Sequence, residues 1–227
     1  MGEAKHWLAP LLCLLSIGLG GAEAGDRVAS RMCSSYSANS LKAPRNGVYN
    51  FTIPDIYGRR NISLSEYQGQ SFTHHYLGVN ALIENYPGIA VLGIPSNQFG
   101  MQEPGSNASE ILNGIKHVRP GKGFEPNFPL TAKTEVNGAH EHPLYTYLKS
   151  QCPPTRESFS DPDRLFYKPM KNSDVRWNWE KFLIDKNGIP RVRYDPSTEP
   201  HMIQHDIIQL QQEPLHFMQP INYHQHH

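Results

Sequence analysis

The alternation of apolar and polar residues changes period several times in the first half of the chain. Residues 47–69 alternate around the turn YGRR, a pattern that predicts a β-hairpin. The segment LGVNALIENY at 77–86 predicts a helix that ends at Pro87-Gly88. The continuous apolar run IAVLGIP at 89–95 predicts a buried, parallel strand. The apolar residues expected on the inward face of the helix are Leu77, Ala81, Leu82 and Tyr86.

The second half of the chain carries three more helix-forming or strand-forming patterns. Residues 107–118 predict a helix capped by Ser106, and residues 143–151 predict a helix stopped by Cys-Pro-Pro. Between them, the segment 119–138 is rich in Pro and Gly and predicts a long ordered loop. Residues 179–195 form the clearest hairpin pattern, two apolar strands around Lys-Asn-Gly.

A closing helix is predicted at 201–212, followed by a polar tail at 213–227. The alternation of strands and helices with short joints indicates an α/β fold over residues 47–212. The apolar residues expected to face inward from the closing helix are Met202, Ile203, Ile207 and Leu210.

Residues 1–24 have the pattern of a secretory signal. Lys5 and His6 precede the apolar run WLAPLLCLLSIGLG, and the small residues of Ala-Glu-Ala at 22–24 suit cleavage. A buried N-terminal helix is the competing interpretation, which the glycines at 18, 20 and 21 disfavour. Residues 25–46 are polar and predict a flexible arm. We therefore expect a secreted, extracellular protein with one globular domain.

Three Asn-X-Ser/Thr sequences are consistent with export. They predict glycosylation at Asn50, Asn61 and Asn107. After removal of residues 1–24 the chain retains only Cys33 and Cys152. These thiols have three possible states: paired with each other, paired with another subunit, or unpaired.

Composition narrows the possible partners. Lys+Arg and Asp+Glu are equal at 21 each, so the net charge favours neither nucleic acid nor an anionic membrane as partner. No apolar run is long enough to span a bilayer. His140 and His142, like the histidines at 224, 226 and 227, lack further ligands at zinc spacing, so we predict no metal site.

Candidate chemistry follows the buried strand. Residues 97–100, Asn-Gln-Phe-Gly, come directly after IAVLGIP, and the carboxyl ends of strands are where α/β sheets place ligands. Asn178 stands between Trp177 and Trp179, where it is able to hydrogen-bond towards a site. By pattern alone, both groups also suit ordinary turn formation and core packing.

Four motifs together carry a family resemblance. They are LGIPSNQFGMQEPG, HVRPGKGFEPNFPL, SQCPP and DRLFYKPMKNSDVRWNWEKFLIDKNGIPRVRYD, in this order between Val48 and Leu210. The chain resembles a glutathione peroxidase of the secreted, plasma type. The resemblance implies a thioredoxin-like fold with a central mixed sheet flanked by helices. It also implies reduction of hydroperoxides by a selenocysteine or cysteine nucleophile, which glutathione or another thiol resets.

The resemblance is interrupted in YQGQSFTHHYLG, residues 67–78. In the family an apolar central strand and the nucleophile stand between the segments that here meet near Gln70 and Thr73, so on the order of ten residues are missing. We therefore expect a fold that lacks one central strand. Ser96 also stands where the family often has a cysteine. Two explanations remain open: a skipped segment containing a selenocysteine codon, or a genuine form without catalysis.

The resemblance also implies roles for single residues. Gln98, Trp177 and Asn178 match the residues that hold the nucleophile in the family. Arg119 and Arg193 match arginines associated with binding of the thiol substrate, whose carboxylates suit guanidinium groups.

Arg191 is a weaker candidate for thiol binding. The loop RPGKGFEPNFPL at 119–130 implies a homotetramer. No cofactor is expected beyond glutathione as co-substrate. The alternative function is that of a non-catalytic extracellular binding protein of the same family.

Overall fold

The structure is a computed structural model that describes residues 11–17, 29–34, 47–64, 76–159 and 161–213. The junction between Gln70 and Thr73, most of the predicted signal and arm, and residues 214–227 of the predicted tail lie outside the described residues.

A five-stranded sheet in the order β2-β7-β6-β1-β5 and a separate two-stranded hairpin, β3-β4, make up the described β-structure. The strands are β1 Leu11–Ile17, β2 Ser30–Met32, β3 Thr52–Pro54, β4 Asn61–Ser63, β5 Ile89–Pro95, β6 Lys181–Ile184 and β7 Pro190–Tyr194. The helices are α1 Tyr76–Asn85, α2 Ala108–His117, α3 Pro143–Gln151 and α4 Gln204–Gln212. Among the described residues, 3-10 turns occupy Gly47–Asn50, Pro162–Arg164 and Pro200–Ile203. The predicted α/β class, both hairpins and the predicted helices are confirmed.

An interior strand of the sheet, β1 between β6 and β5, comes from the apolar run predicted as a signal. It pairs in parallel with β5, from Leu11 opposite Ile89 to Ile17 opposite Pro95. It also pairs antiparallel with β6, with Leu14 opposite Phe182. The position expected to be empty is therefore occupied. Two buried strands with a gap between them would leave facing rows of unpaired N–H and C=O groups, and an uncharged apolar run satisfies both rows.

Part of the predicted flexible arm is ordered. Ser30–Met32 forms the edge strand β2 on β7, and Cys33 donates its backbone N–H to the carbonyl of Arg191. Cys33 also forms a disulfide with Cys152, which decides among the three alternatives left open by the sequence. This covalent link across 119 residues of sequence joins the segment that follows β2 to the carboxyl end of α3.

The inward faces of two helices differ from the prediction. α1 buries Tyr76, Val79 and Leu82, whereas Leu77 is 68% exposed and Ala81 is exposed too. The buried face of α1 therefore begins at Tyr76 rather than at Leu77, because the ring of Tyr76 packs on aromatic neighbours. In the last helical segment Ile203, Ile207 and Leu210 are buried as expected, but Met202 lies in the preceding 3-10 turn and is exposed.

The cap of α2 is shifted by one residue from the prediction. Asn107, not Ser106, is the N-cap, and its Oδ1 accepts the backbone N–H of Glu110. Ser106 instead donates its hydroxyl and its backbone N–H to the Glu110 carboxylate. Within the described ranges no helix is both long and apolar enough to cross a membrane.

Candidate active site at the carboxyl end of β5

Gln98 lies buried in the turn that follows β5. Its Nε2 donates to the carbonyl of Asn137 at 2.9 Å, and its Oε1 accepts from the backbone N–H groups of Val136 and Asn137 at 2.9 and 3.0 Å. One hydrogen of Nε2 remains for another partner. The side chain therefore anchors the turn after β5 to residues 136–137, and this is the main role that its contacts support.

Trp177 is 1% exposed and sits beside the same turn. Its ring centroid is 6.0 Å from that of Phe99, and the guanidinium of Arg164 lies 4.9 Å over its ring. The indole Nε1–H has no hydrogen-bond partner among the described residues. A buried donor left without a partner costs roughly 1–3 kcal/mol, so this N–H is suited to donate to a group bound at the site.

Asn178 joins the Trp177 segment to the turn after β5. Its Nδ2 donates to the carbonyl of Phe99 at 3.3 Å and to Oε1 of Gln102 at 2.9 Å. Its Oδ1 is buried and, in the described part of the chain, has no partner. The structure thus brings Gln98, Trp177 and Asn178 together around Phe99.

The amino end of α1 lies close to these residues. Tyr76 is the first residue of the helix, and its ring contacts that of Trp179 edge-on at 4.8 Å. Trp179 has φ of 68°, an unusual value for a large side chain, which turns the backbone after Asn178. The amino end of α1, at Tyr76, therefore lies beside the segment that contains Trp177, and a helix amino end favours a nearby anion.

Glu103 is a site residue that the sequence did not single out. It is 4% exposed, and its backbone N–H donates to Oδ1 of Asn97 at 3.0 Å. Burial raises the pKa of its carboxyl to about 7, with the charge of Lys133 acting in the opposite direction. Burial first, and the Glu103 charge second, raise the pKa of Tyr76. The only sequence feature that points to Glu103 is its position inside the motif LGIPSNQFGMQEPG.

Arg193 lies inside the protein rather than at a substrate surface. It is 0% exposed and forms an ion pair with Glu180. Its NH1 and NH2 groups donate to the carbonyls of Cys152, Ser173 and Asp174 at 2.9 to 3.1 Å. The guanidinium therefore supports the backbone that leads to Trp177, and it presents no surface to a ligand in this structure.

The other two predicted arginines lie elsewhere. Arg119 is exposed and directly follows α2, where its backbone N–H donates to the carbonyl of Gly114 at 2.8 Å. Arg191 is partly exposed and binds the carboxylates of Asp185 and Glu213 at 3.2 and 2.6 Å. Hydrogen bonding to Glu213 is the main cause that raises the pKa of Arg191. Of the three arginines, Arg119 has the exposed position that a substrate anchor needs.

A network of buried charges underlies the site, and no sequence pattern pointed to it. Lys149 binds Glu141 at 2.5 Å, Asp174 at 2.8 Å and Oδ1 of Asn137 at 3.1 Å. Asn137 in turn holds Gln98 and the backbone of Val175. We call the charged members the buried ionic network: Glu141, Lys149, Asp174, Arg176, Glu180 and Arg193.

The histidines and sequons have simple surroundings. His142 caps α3, since its Nδ1 accepts the backbone N–H of Leu144 at 3.2 Å, and burial lowers its pKa. No cluster of three potential metal ligands occurs within the described residues. Asn50, Asn61 and Asn107 are all exposed. The terminal histidines lie outside the described residues.

Comparisons with known proteins agree on one family. The family model for glutathione peroxidase matches residues 48–149. The chain is 44% identical over 174 residues to glutathione peroxidase 3 of Bos taurus, covering 71% of this chain and 76% of that one. It is 39% identical over 212 residues to glutathione peroxidase 3 of Hylobates lar, covering 86% and 90%. It is also 42% identical over 179 residues to glutathione peroxidase 6 of Mus musculus, covering 71% and 79%.

A solved structure supports the fold. The crystal structure of T. cruzi GPX1 superposes with a TM-score of 0.50 at 24% identity, covering 73% of this chain and 96% of that one.

Proposed function

Because the chain belongs to the glutathione peroxidase family, whose activity is that of a peroxidase, we propose that its complete gene product reduces hydroperoxides outside the cell. Hydrogen peroxide and organic hydroperoxides are the oxidants, and glutathione or another thiol is the reductant. The observation that carries this proposal is the unpaired, buried Nε1–H of Trp177 beside the carboxyl end of β5.

In the proposed reaction, each polar group at the carboxyl end of β5 has a role. A chalcogenolate attacks one peroxide oxygen, the O–O bond breaks, and the departing alkoxide or hydroxide takes up a proton. The nucleophile becomes a selenenic or sulfenic acid, which two thiols reduce to regenerate the nucleophile with release of one disulfide and one water. Trp177 donates Nε1–H to the anionic chalcogen and lowers its pKa, while Oδ1 of Asn178 accepts a hydrogen bond from a proton-bearing group of the substrate or water.

The 227-residue chain itself lacks a residue for this attack. It has three cysteines, and Cys33 and Cys152 are joined in a disulfide. The third, Cys13, lies in the middle of β1 opposite Val91, not after a strand at the amino end of a helix. We therefore expect no glutathione-dependent turnover with either hydrogen peroxide or an organic hydroperoxide.

Two experiments test this assignment. Sequencing the transcript between the codons of Gln70 and Thr73 should reveal an in-frame stretch with a TGA or cysteine codon; a continuous Gln-Ser-Phe-Thr message contradicts a skipped segment. Restoring about ten residues there, with the family's strand and nucleophile, should produce peroxidase activity. In the restored protein Trp177→Phe should lower the rate about tenfold, the effect of one charge-assisted hydrogen bond. An unchanged rate would remove Trp177 from the mechanism.

Arg119 is the proposed anchor for a carboxylate of glutathione. It is exposed, and a guanidinium binds carboxylates in two-pronged geometry that lysine does not reproduce. In the restored enzyme Arg119→Lys should raise KM for glutathione and leave KM for hydrogen peroxide unchanged. Arg191→Lys is the matched control, since Arg191 is already bound to Asp185 and Glu213. Equal effects of the two substitutions would contradict the assignment.

Export, glycosylation and assembly belong to the same proposal. The Cys33–Cys152 disulfide suits an oxidising compartment, and Asn50, Asn61 and Asn107 are exposed. Loop 119–130 is the proposed contact of a homotetramer, and light scattering should give four times the monomer mass. Removal of glycans by an amidase should lower the mass of the secreted protein; a secreted chain with no such change would exclude glycosylation.

A non-catalytic binding protein is the second candidate function. The observation that favours it is β1, which completes the sheet of a chain that has no nucleophile. A purified 227-residue chain that unfolds cooperatively and shows no turnover would support this function. Aggregation without a cooperative transition would exclude it.

A further inference from the structure

The sheet contains a slot for one strand between β5 and β6, which we call the strand slot. All residues of Ile89–Pro95 and all residues of Lys181–Ile184 are buried. The outer edge of β5 is covered by Leu130, which bridges to Gly93, and the outer edge of β6 is covered by β7. Only the two inner edges therefore need a partner, and each buried N–H or C=O left without one costs roughly 1–3 kcal/mol.

The strand slot is occupied by a segment whose sequence also predicts a secretory signal. Leu11–Ile17 pairs along its whole length with β5 and, from Leu12 to Leu15, with β6. Its sequence LLCLLSI has no charge, no Pro and no Gly, as a strand buried by two neighbours requires. The same composition serves a secretory apolar core. The segment therefore suits two roles, the apolar core of a signal and a strand of the sheet. After cleavage following Ala24, it is no longer covalently part of the chain whose sheet it completes.

The chain connection permits this placement. Leu15 is opposite Lys181, Lys181 is opposite Tyr194, and Tyr194 is opposite Ser30, so one row of the sheet joins β1 to β2. Three strand spacings amount to about 14 Å. The 12 residues from 18 to 29 reach up to about 40 Å when extended. The link is therefore long enough to insert β1 without strain.

We propose that residues 11–17 are a structural strand of the folded chain, and that cleavage after Ala24 leaves the strand slot able to bind an extended apolar peptide in parallel with β5. The chain that retains its amino-terminal segment folds as a complete sheet. A cleaved chain keeps its fold only while the slot holds this segment or a peptide of the same kind. This inference concerns the 227-residue chain without the restored strand, and its tests do not use peroxidase activity.

The register offers a test that needs one substitution. Cys13 is directly opposite Leu183. Directly opposed residues of antiparallel strands have Cβ atoms about 4.5–5.5 Å apart, so a small backbone shift brings two cysteines to the roughly 3.5–4.5 Å that a disulfide needs. Leu183→Cys in the full chain, mildly oxidised, should give a disulfide between Cys13 and the introduced thiol, identified by peptide mass mapping. Phe182→Cys is the matched control, because neighbouring residues of a strand point to opposite faces.

Two criteria distinguish a true cross-linking result from misfolding of the variants. Both variants must retain the Cys33–Cys152 disulfide and a cooperative transition. Equal cross-linking in the two variants, or none in folded Leu183→Cys, overturns the proposal. Hydrogen exchange on the unsubstituted chain gives a second measurement: the amides of 12–17 should be protected as strongly as those of 90–95. Exchange of 12–17 at the rate of an unstructured peptide, with 90–95 protected, also overturns it.

A cleavage test addresses the slot directly. A protease site is inserted after Ala24, and the folded full chain is cut there. The fragment containing residues 1–24 should remain bound through gel filtration. Leu14→Pro should release it, because Leu14 is paired on both sides, with Leu92 and with Phe182. Leu19→Pro, outside the strand, should not; loss of the fragment from the unsubstituted chain, or retention in Leu14→Pro, contradicts binding in the strand slot.

Discussion

Residues 174–180 form one short segment with two kinds of side chain. Asp174, Arg176 and Glu180 belong to the buried ionic network, where each is buried and bonded. Trp177 and Asn178, in the same segment, carry buried polar atoms that have no partner among the described residues. Both kinds are equally hidden from water. Within this segment, the charged side chains hold the backbone, whereas Trp177 Nε1–H and Asn178 Oδ1 are available to a group bound beside β5.

Breaking the buried ionic network should have the largest effect on stability. Arg193→Ala leaves Glu180 as an unpaired charge at 0% exposure, so the free energy of unfolding should fall by roughly 3–5 kcal/mol. Urea denaturation followed by tryptophan fluorescence measures the change. Arg191→Ala is the matched control, since Arg191 is partly exposed and its ion pairs contribute at most about 1 kcal/mol. A loss below about 1 kcal/mol for Arg193→Ala would contradict a structural role for this network.

Glu103 should make stability depend on pH near neutrality. Its pKa is raised from 4.5 to about 7 in the folded protein, so between these values the folded state binds more protons than the unfolded state. The contribution is therefore complete below pH 4.5 and is lost as pH rises to about 7, by about 2–3 kcal/mol. Urea midpoints from pH 4.5 to 8 should fall less steeply in Glu103→Gln. An equal slope in the two proteins would show that Glu103 does not titrate in this range.

Trp177→Phe in the 227-residue chain should have the smallest effect. The substitution removes apolar contacts, but it also removes a buried donor without a partner, so the free energy of unfolding should change by no more than about 1 kcal/mol. Trp179→Phe is the comparison, because the ring of Trp179 packs on Tyr76 and its loss is not compensated. A larger loss for Trp177→Phe than for Trp179→Phe would show that the indole N–H is satisfied in solution.

Sequence motifs named candidate site residues but not the contacts of each one. Gln98, Trp177 and Asn178 lie together around Phe99, and their proposed role in catalysis stays a prediction. The hydrogen bonds of Gln98 go to residues 136–137, and Arg193 is enclosed by backbone carbonyls. Neither fact is visible in a linear sequence, because the partners lie 39 and 19 residues away. Glu103 was missed for the same reason, since its burial depends on the packing of several segments.

The sequence by itself determined the helices and hairpins, the continuous buried strand β5 and the family, because these depend on local periodicity and on short motifs. It also established that no cysteine lies between Cys33 and Cys152. Only the tertiary structure decided that these two cysteines are paired, that Ser30–Met32 is an edge strand, and that Leu11–Ile17 is an interior strand between β5 and β6. An apolar run has the same composition whether it serves as a signal or as a buried strand. It forms a strand only where two neighbouring strands offer unpaired backbone N–H and C=O groups, and only the folded chain brings those strands to its two sides.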